Sequence, residues 1–320
     1  MHVSRRVVLI GTGSVGSSYA FALVNQNLCN ELVLIDVNEK KSAADAADIQ
    51  DGMPSFYTNI RVWKGDYKDC EKADIVCICA GIPQKPGQSR LELINTNINI
   101  AKKITENVVA NGFNGIFLIA SNPVDIISYA VWKYSGFSKG KVIGSGTTLD
   151  TARLRYQLSK EFQVAPQNIS ANILGEHGDS EFVPWSTVNV AGMKLDKIKS
   201  SFKLTDTDLE NIYLQTKNAA YKIIEAKGAT YYGIAMALAR ITKAIMFDEH
   251  VVLTTSTLLE GEYGHHDVFA GIPCVIGNEG ILDTMPEDLT TSELKQFAYS
   301  ISILEDNNPL IKRKIVEDNA

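Results

Sequence analysis

Short apolar runs alternate with segments of helical periodicity along the first part of the chain. The apolar runs cover residues 6–10, 31–36, 73–80, 115–120 and 141–143, and most of them stop at a glycine, a serine or an acid. Segments with the spacing of one helical face cover residues 17–24, 95–110 and 124–134. Unbroken apolar runs are typical of strands that are buried on both faces. The alternation therefore predicts an α/β fold, a doubly wound parallel sheet with helices on both sides.

After about residue 145 the pattern changes. Helical spacing runs through residues 149–162, 206–227 and 232–247, and extended runs cover 251–257 and 268–276. Thr205 and Thr290 each precede an acid by three residues, which is the capping-box pattern of a helix start. We therefore predict two domains, residues 1–145 with the doubly wound sheet and residues 146–320 with an α+β arrangement.

Composition and charge exclude several classes of protein. The 320 residues are 45% hydrophobic and 21% charged, as in ordinary globular proteins, and the net charge is −6. An acidic chain without a basic block is a poor nucleic-acid binder, and no run is long enough to predict a membrane span. The first apolar run is too short for a signal peptide. Five cysteines without metal-ligand spacing predict reduced thiols, no bound metal and a cytoplasmic location.

A glycine-rich turn follows the first predicted strand at once. Gly11, Gly13 and Gly16 form a GxGxxG motif that ends the strand and enters the next helix, and Asp36 ends the second strand about 20 residues further on. Such glycines let backbone N–H groups approach a pyrophosphate, and such an acid accepts hydrogen bonds from a ribose diol. The unit predicts a Rossmann domain that prefers NAD to NADP. Because methyltransferases also combine a glycine turn with an acid, the motif alone predicts a dinucleotide or an adenosyl ligand.

Three further segments carry residues suited to catalysis. His177 lies between glycines in residues 175–179, where an imidazole can serve as acid or base near neutral pH. Asp150 and Arg153 are three residues apart on a predicted helix and share one face. Residues 80–90 form a loop with two glycines and two prolines, which carries Gln84 and Arg90.

These motifs together resemble the lactate/malate dehydrogenase family over nearly the whole chain. The resemblance rests on the glycine turn, the AGxxQKPGxxR loop of residues 80–90, the SNPVD segment of residues 121–125, the LDTAR segment of residues 149–153, the His177 segment and the KGAT segment of residues 227–230. It implies a fermentative enzyme that transfers hydride reversibly between NADH and pyruvate to give L-lactate. It also implies an NAD-binding first domain and a second domain for catalysis and oligomerisation.

The resemblance also implies a role for individual residues. His177 matches the proton donor and acceptor, Asp150 the carboxylate that orients it, and Arg153 the group that binds the substrate carboxylate. Arg90 matches a loop arginine that polarises the substrate carbonyl. The remaining matches to the substrate pocket are Gln84, Asn122 and Thr230. The matches to coenzyme contacts are Gly11, Gly13, Val15, Gly16, Asp36, Lys41, Tyr67, Gly81, Ile82, Ala120, Asn122 and Ser145.

The residue type at position 84 distinguishes a pyruvate site from a malate or oxaloacetate site within this family. The resemblance places it beside the substrate side chain, where a malate or oxaloacetate site needs a cation. A neutral residue there predicts pyruvate, because an unpaired carboxylate in a closed site is costly. The alternatives that stay open are a malate or branched 2-hydroxyacid dehydrogenase and, in another class, a non-catalytic NAD-binding or structural protein.

The resemblance further implies a homotetramer, which the apolar helices of the second half suit. Many bacterial members bind fructose 1,6-bisphosphate between subunits with an arginine and a histidine. Arg155 matches the arginine, but Ser170 stands at the histidine position. A serine lacks the cation that a phosphate needs, so we expect a vestigial effector site with weak or absent activation.

Overall fold

A nine-stranded sheet runs through the centre of the protein. The computed structural model describes residues 5–55, 59–82 and 90–306, with the side chains of Arg90 and Leu91 left out. The order of the strands in the sheet is β12-β11-β10-β6-β5-β4-β1-β2-β3. These strands are β1 (Arg6–Ile10), β2 (Glu31–Ile35), β3 (Arg61–Lys64), β4 (Ile75–Ile78), β5 (Ile116–Ile119), β6 (Val142–Gly144), β10 (Val251–Glu260), β11 (His266–Gly277) and β12 (Gly280–Thr284).

The described residues contain ten α-helices and a small second sheet in the C-terminal half. The small sheet has the order β7-β8-β9, with strands at Ile169–Ser170, Asn189–Val190 and Met193–Lys194. The helices are α1 (Ser14–Asn25), α2 (Glu39–Gly52), α3 (Arg90–Ala110), α4 (Val124–Ser135), α5 (Thr148–Phe162), α6 (Leu195–Phe202), α7 (Asp206–Lys217), α8 (Ala219–Lys227), α9 (Tyr232–Met246) and α10 (Thr291–Glu305). No helix among the described residues combines the length and the apolar character that crossing a membrane requires.

Strands β1 to β6 are parallel, as the alternating pattern predicts. Strand β1 pairs with β2 on one side and with β4 on the other, so the two strand–helix series extend in opposite directions from it. At such a switch point the loops that follow the strands separate and leave a crevice at the carboxyl edge of the sheet. The fold therefore puts the loop after β1, with the glycine turn, and the loop after β4 on opposite sides of one crevice.

The second half of the chain continues the same sheet. Strand β10 pairs antiparallel with β6 at Ser256 and Gly144, and β10, β11 and β12 form an antiparallel extension. The two extended runs predicted for this half thus add strands to the first sheet. A separate apolar cluster centred on α5, α6 and α7 supports the rest of the C-terminal half.

Two local features differ from the sequence prediction. The single helix predicted over residues 206–227 is wrong, because the chain forms α7 and α8 with a break at Asn218. Helix α7 buries Leu209, Ile212 and Thr216, whereas α8 buries none of its residues, so the two segments do not share one packed face. Asparagine is also a weak helix former. Helix α2 and strand β3 complete the first half and have no counterpart in the predicted pattern.

Candidate active site

The glycine turn after β1 is packed tightly on one side and open on the other. Gly11 has a φ of +98°, and a Cβ atom there would lie 2.6 Å from the backbone nitrogen of Ala80. A Cβ atom on Gly16 would lie 2.0 Å from the carbonyl oxygen of Gly11. A Cβ atom on Gly13 would meet nothing within 4 Å. The turn is therefore held against the sheet while its Gly13 face, at the N-terminus of α1, stays accessible to a ligand.

Asp36 lies at the end of β2 and contacts this turn directly. One carboxylate oxygen accepts a hydrogen bond from the backbone N–H of Thr12 at 2.7 Å, and the other accepts one from the N–H of Asn38 at 2.8 Å. The ammonium group of Lys41 donates to the carbonyl oxygen of Thr12 and lies 2.6 Å from a carboxylate oxygen of Asp45. Asp36 and Lys41 thus fix the second residue of the turn from two sides.

A crevice of about 720 Å³ opens between the turn and the loop after β4. The predicted coenzyme contacts that line it are Gly11, Gly13, Asp36, Tyr67, Gly81 and Ile82. Two apolar residues of α3, Ile100 and Ile104, also line it. The predicted contacts that are not among its lining residues are Val15, Gly16, Lys41, Ala120, Asn122 and Ser145. Ala120 and Ser145 lie where β5 and β6 end, and their backbone N–H groups bond across to the neighbouring strands.

Asn97 links this crevice to the next loop along the sheet edge. Its side-chain oxygen accepts from the N–H of Ile82 at 3.0 Å, and its amide nitrogen donates to the carbonyl oxygen of Asn122 at 2.9 Å. Asn97 is buried on α3, and Asn122 is exposed at the end of β5, where the Asn122–Pro123 peptide bond is cis. Asn97 was not among the predicted site residues, because only the segments after β4 and β5 that it contacts carry recognisable motifs.

The loop that carries His177 is closed by two pairs of backbone contacts. Leu174 and Phe182 exchange backbone hydrogen bonds of 3.0 and 3.2 Å, and Gly175 exchanges bonds of 2.9 and 2.8 Å with Gly271 of β11. A Cβ atom on Gly271 would lie 2.6 Å from the hydroxyl oxygen of Thr147, so only glycine allows this approach. The loop is thereby anchored both to itself and to the large sheet.

His177, Asp150 and Arg153 form one hydrogen-bonded group. The Nδ1 atom of His177 lies 2.6 Å from one carboxylate oxygen of Asp150, and a guanidinium nitrogen of Arg153 donates to the other oxygen at 3.0 Å. The Asp150 side chain is 6% exposed, whereas that of His177 is 28% exposed. The structure therefore brings together three of the four predicted catalytic and carboxylate-binding groups. The imidazole stays reachable while its partner carboxylate is enclosed.

This arrangement changes the proton affinity of both groups. The negative charge of Asp150 is the largest influence on His177 and, against the opposing effect of burial, raises its pKa to about 9. Burial alone raises the pKa of Asp150, but the charges and hydrogen bonds of His177 and Arg153 outweigh it and the pKa is lowered. At neutral pH His177 is therefore a protonated imidazolium and Asp150 an ionised carboxylate. In this state His177 can act as a proton donor.

Asp125 fixes the same loop from its backbone. It is buried near the start of α4, and its carboxylate accepts from the N–H of His177 at 2.9 Å and from the hydroxyl of Ser256 at 2.5 Å. Burial raises the pKa of Asp125 to about 6. Asp125 was not among the predicted site residues, although a charged residue inside the apolar run of α4 is a signal that could have identified it.

Glu181 is a second acid that the sequence analysis missed. Asp150, His177 and Glu181 each place one polar atom within 4.8 Å of the others, and Glu181 is 6% exposed. Residues of these types can ligate a metal ion, but Arg153 already contributes a positive charge to Asp150. That charge opposes the binding of a cation and suits an anion.

The remaining predicted residues have different surroundings. Thr230 lies half-buried in the turn between α8 and α9. Arg155 donates to the carbonyl oxygen of Ala171 at 2.9 Å and to the side chain of Asn172 at 2.8 Å, and Ser170 is exposed at the end of β7. Gln84 and the side chain of Arg90 lie outside the described residues, and Arg90 is the first residue of α3.

Comparison with known proteins places both halves of the chain in one group. Residues 5–144 match the NAD binding domain of lactate/malate dehydrogenases, and residues 147–314 match the alpha/beta C-terminal domain of the same enzymes. The chain is 51% identical over 302 residues to the L-lactate dehydrogenase of Geobacillus sp. (strain WCH70), a match that covers 94% of this chain and 95% of the relative.

Solved structures show the same similarity. A lactate dehydrogenase from a Medee basin deep-sea metagenome library superposes with a TM-score of 0.95 at 44% identity, covering 97% of this chain and 99% of the other. The minor L-lactate dehydrogenase of Enterococcus mundtii, in its ligands-bound form, gives a TM-score of 0.93 at 45% identity, covering 95% of this chain and 97% of the other.

Proposed function

The chain belongs to the lactate/malate dehydrogenase family, and we propose that it acts as an NAD-dependent L-lactate dehydrogenase that interconverts pyruvate and L-lactate. The observation that carries the proposal is the His177–Asp150–Arg153 group. It puts a proton donor and a binding site for a carboxylate side by side, and a 2-keto acid needs both. The curated relatives of high identity carry the same activity in their names.

The crevice suits a dinucleotide. The open Gly13 face and the N-terminus of α1 favour a pyrophosphate, and Asp36 at the end of β2 suits a ribose diol. We propose NAD rather than NADP, because the Asp36 carboxylate would repel a 2′-phosphate. Residues 1–145 would then hold the coenzyme, while residues 146–320 supply Asp150, Arg153 and His177. A kcat/KM with NADPH equal to that with NADH would contradict this preference.

The chemistry of the residues follows from their contacts. When bound, NADH supplies the hydride that reaches the carbonyl carbon of the keto acid. Protonated His177 donates its Nε2 proton to the carbonyl oxygen, because Nδ1 is engaged with Asp150. Asp150 holds the ring in place and stabilises its positive charge throughout the step. In the opposite direction neutral His177 accepts the proton of the lactate hydroxyl.

The substrate carboxylate is assigned to Arg153. A guanidinium can donate two parallel hydrogen bonds to a carboxylate. One nitrogen of Arg153 donates to Asp150, and this bond fixes the plane of the guanidinium group. We further propose that Arg90 polarises the keto oxygen and that Asn122 and Thr230 border the substrate. The position of Arg90 at the start of α3, beside the loop after β4, supports its share of this proposal.

Pyruvate is the preferred keto acid in this proposal. The residue assigned to the substrate side chain, Gln84, is neutral, so the second carboxylate of oxaloacetate would be enclosed without a cation. An unpaired buried charge costs about 3–5 kcal/mol, which corresponds to roughly 10²–10³-fold in kcat/KM. We expect discrimination of that order against oxaloacetate.

Self-association is part of the proposal. Helices α1 and α9 pack on each other and leave Phe21, Tyr232 and Met236 between 56% and 67% exposed. Such an apolar face suits a second copy of the chain, and we propose a homotetramer, which light scattering of the purified protein would test. We also propose a cytoplasmic location, since all five cysteines are free and four of them are buried.

One assay tests the central claim. Purified protein is mixed with NADH and pyruvate, and the loss of NADH absorbance is followed. We expect rapid oxidation of NADH and formation of L-lactate, and no comparable rate with oxaloacetate. Absence of turnover with every short 2-keto acid would contradict the proposal and favour a non-catalytic NAD-binding protein.

A further inference from the structure

Glu181 is a buried acid inside the catalytic group that the proposed reaction does not use. It lies on the closed loop between Leu174 and Phe182, four residues after His177, and is 6% exposed. One of its carboxyl oxygens lies within 4.8 Å of polar atoms of both Asp150 and His177. Among the described residues, no side chain or backbone group donates a hydrogen bond to this carboxyl. A charged carboxylate is therefore poorly supported at this position.

The groups around Glu181 determine its charge. Helix α5 presents Asp150 and Arg153 to it, its own loop presents His177, and α7 presents Tyr213 and Lys217. Burial and the negative charge of Asp150 raise the pKa of Glu181 to about 8, against the opposing charges of His177, Arg153 and Lys217. The carboxyl of Glu181 therefore carries a proton at neutral pH and loses it in the mildly alkaline range.

The charges of the neighbouring side chains indicate a function for the proton on Glu181. Protonated His177 and Arg153 contribute two positive charges, and Asp150 contributes one negative charge. This described group therefore carries a net positive charge, which attracts the carboxylate of a keto acid. An ionised Glu181 would place a second negative charge beside that of Asp150 and weaken this attraction.

We propose that Glu181 is a third ionisable group of the catalytic site, and that a monocarboxylic 2-keto acid binds productively only while the Glu181 carboxyl carries its proton. This inference rests on the function proposed above and deepens it. Glu181 acts through the charge of the site and needs no direct bond to the substrate.

The titrations of Glu181 and His177 should affect different kinetic parameters. As the pH rises through about 8, Glu181 becomes charged, so the KM for pyruvate rises while kcat is maintained. As the pH rises further through about 9, His177 loses its proton and kcat falls. Far above both values, kcat/KM should fall about 100-fold for each pH unit, because two protons are required.

The test compares Glu181→Gln with the unaltered enzyme. The glutamine keeps the shape and neutrality of the protonated acid, so the KM for pyruvate should no longer rise between about pH 7.5 and 9. In the unaltered enzyme it should rise up to about tenfold per pH unit above 8. The KM for NADH should keep its pH profile in both proteins. Glu161→Gln, at an exposed position near the end of α5, is the matched control and should behave like the unaltered enzyme.

A second measurement needs no variant. Oxamate, a non-reactive analogue of pyruvate, is added to the enzyme and NADH in weak buffer at pH 8, and proton uptake is measured with an indicator dye. We expect uptake of about half a proton or more, whereas titration of His177 alone predicts about a tenth. Uptake near a tenth of a proton, or an identical rise of pyruvate KM with pH in Glu181→Gln, would overturn the inference. Lack of any pyruvate turnover at neutral pH would instead overturn the proposed function.

Discussion

The Nδ1 atom of His177 lies 2.6 Å from a carboxylate oxygen of Asp150, and these two residues come from different parts of the fold. Asp150 lies in the first turn of α5, whereas His177 lies on a loop anchored to β11 through Gly175. The second oxygen of Asp150 is occupied by Arg153. One buried carboxylate thus connects the proposed proton donor, His177, to the group assigned to the substrate carboxylate, so its replacement should disturb both.

The first prediction concerns that carboxylate. Asp150→Asn removes the charge that stabilises the imidazolium and the acceptor that fixes the ring. We expect the kcat of pyruvate reduction at neutral pH to fall by about 10²–10⁴-fold, the range of a lost general acid. Steady-state kinetics measure this loss. Asp48→Asn, at an exposed position on α2, is the control and should keep full activity.

The second prediction is a pH dependence with opposite signs in the two directions. In the proposed reaction, pyruvate reduction needs protonated His177, and its raised pKa of about 9 means that kcat should be constant at neutral pH and fall as the pH rises through 9. Lactate oxidation needs the neutral ring and should rise over the same interval. In Asp150→Asn both midpoints should move down toward the usual histidine value of about 6.5. Midpoints that stay near 9 in this variant would show that another group titrates.

Local patterns predict the parts of this fold that depend on neighbours in sequence. The strand–turn–helix unit with Gly11, Gly13 and Asp36 is such a part, because burial and turn geometry are encoded within a few residues. The break between α7 and α8 at Asn218 escapes prediction, since it depends on which helical face finds a partner in the folded protein. The addition of β10 and β11 to the first sheet likewise depends on contacts between distant segments.

The residues of the candidate site also fall into those that local sequence predicts and those that it does not. Motifs identify His177, Asp150 and Arg153, because each lies in a distinctive local sequence. Asn97 and Asp125 act through bonds to backbone groups 25 and 52 residues away. The sequence marks Asp125 as a charged residue in an apolar run, but it does not reveal the distant partners of either side chain.

The third prediction tests the carboxylate-binding group. Arg153→Lys keeps the positive charge but loses the planar pair of donors and cannot bond Asp150 and substrate in the same geometry. Loss of a hydrogen bond to a charged group costs about 1.5–3 kcal/mol, so kcat/KM for pyruvate should fall by roughly 10–100-fold, mostly through KM. An unchanged KM would place the substrate carboxylate elsewhere.

The fourth prediction concerns substrate choice. Gln84→Arg supplies the cation that a dicarboxylic keto acid needs beside its side chain. The ratio of kcat/KM for oxaloacetate to that for pyruvate should rise by roughly 10²–10³-fold. Both keto acids are assayed with NADH at one pH. Gln88→Arg, four residues later in the same sequence segment, is the control, and an equal shift in that variant would mean that net charge and not position sets the preference.

The fifth prediction concerns the response to fructose 1,6-bisphosphate. Arg155 is committed to the carbonyl oxygen of Ala171 and to Asn172, and Asn172 in turn donates to Glu287 at 2.9 Å. With this guanidinium bound internally and Ser170 in place of a cation, little remains to hold a phosphate. We expect the bisphosphate to change the KM for pyruvate by far less than the about 5–150-fold of typical allosteric coupling.

Titration of the KM against bisphosphate at neutral pH measures this response. Glu287→Gln removes the acid to which Asn172 donates, and it should loosen Arg155 and increase any residual response. A large fall in the KM of the unaltered enzyme at low bisphosphate would show that Arg155 leaves its internal partners when the anion binds. The internal bonds of Arg155 and the absence of a cation at Ser170 would then not be enough to prevent activation.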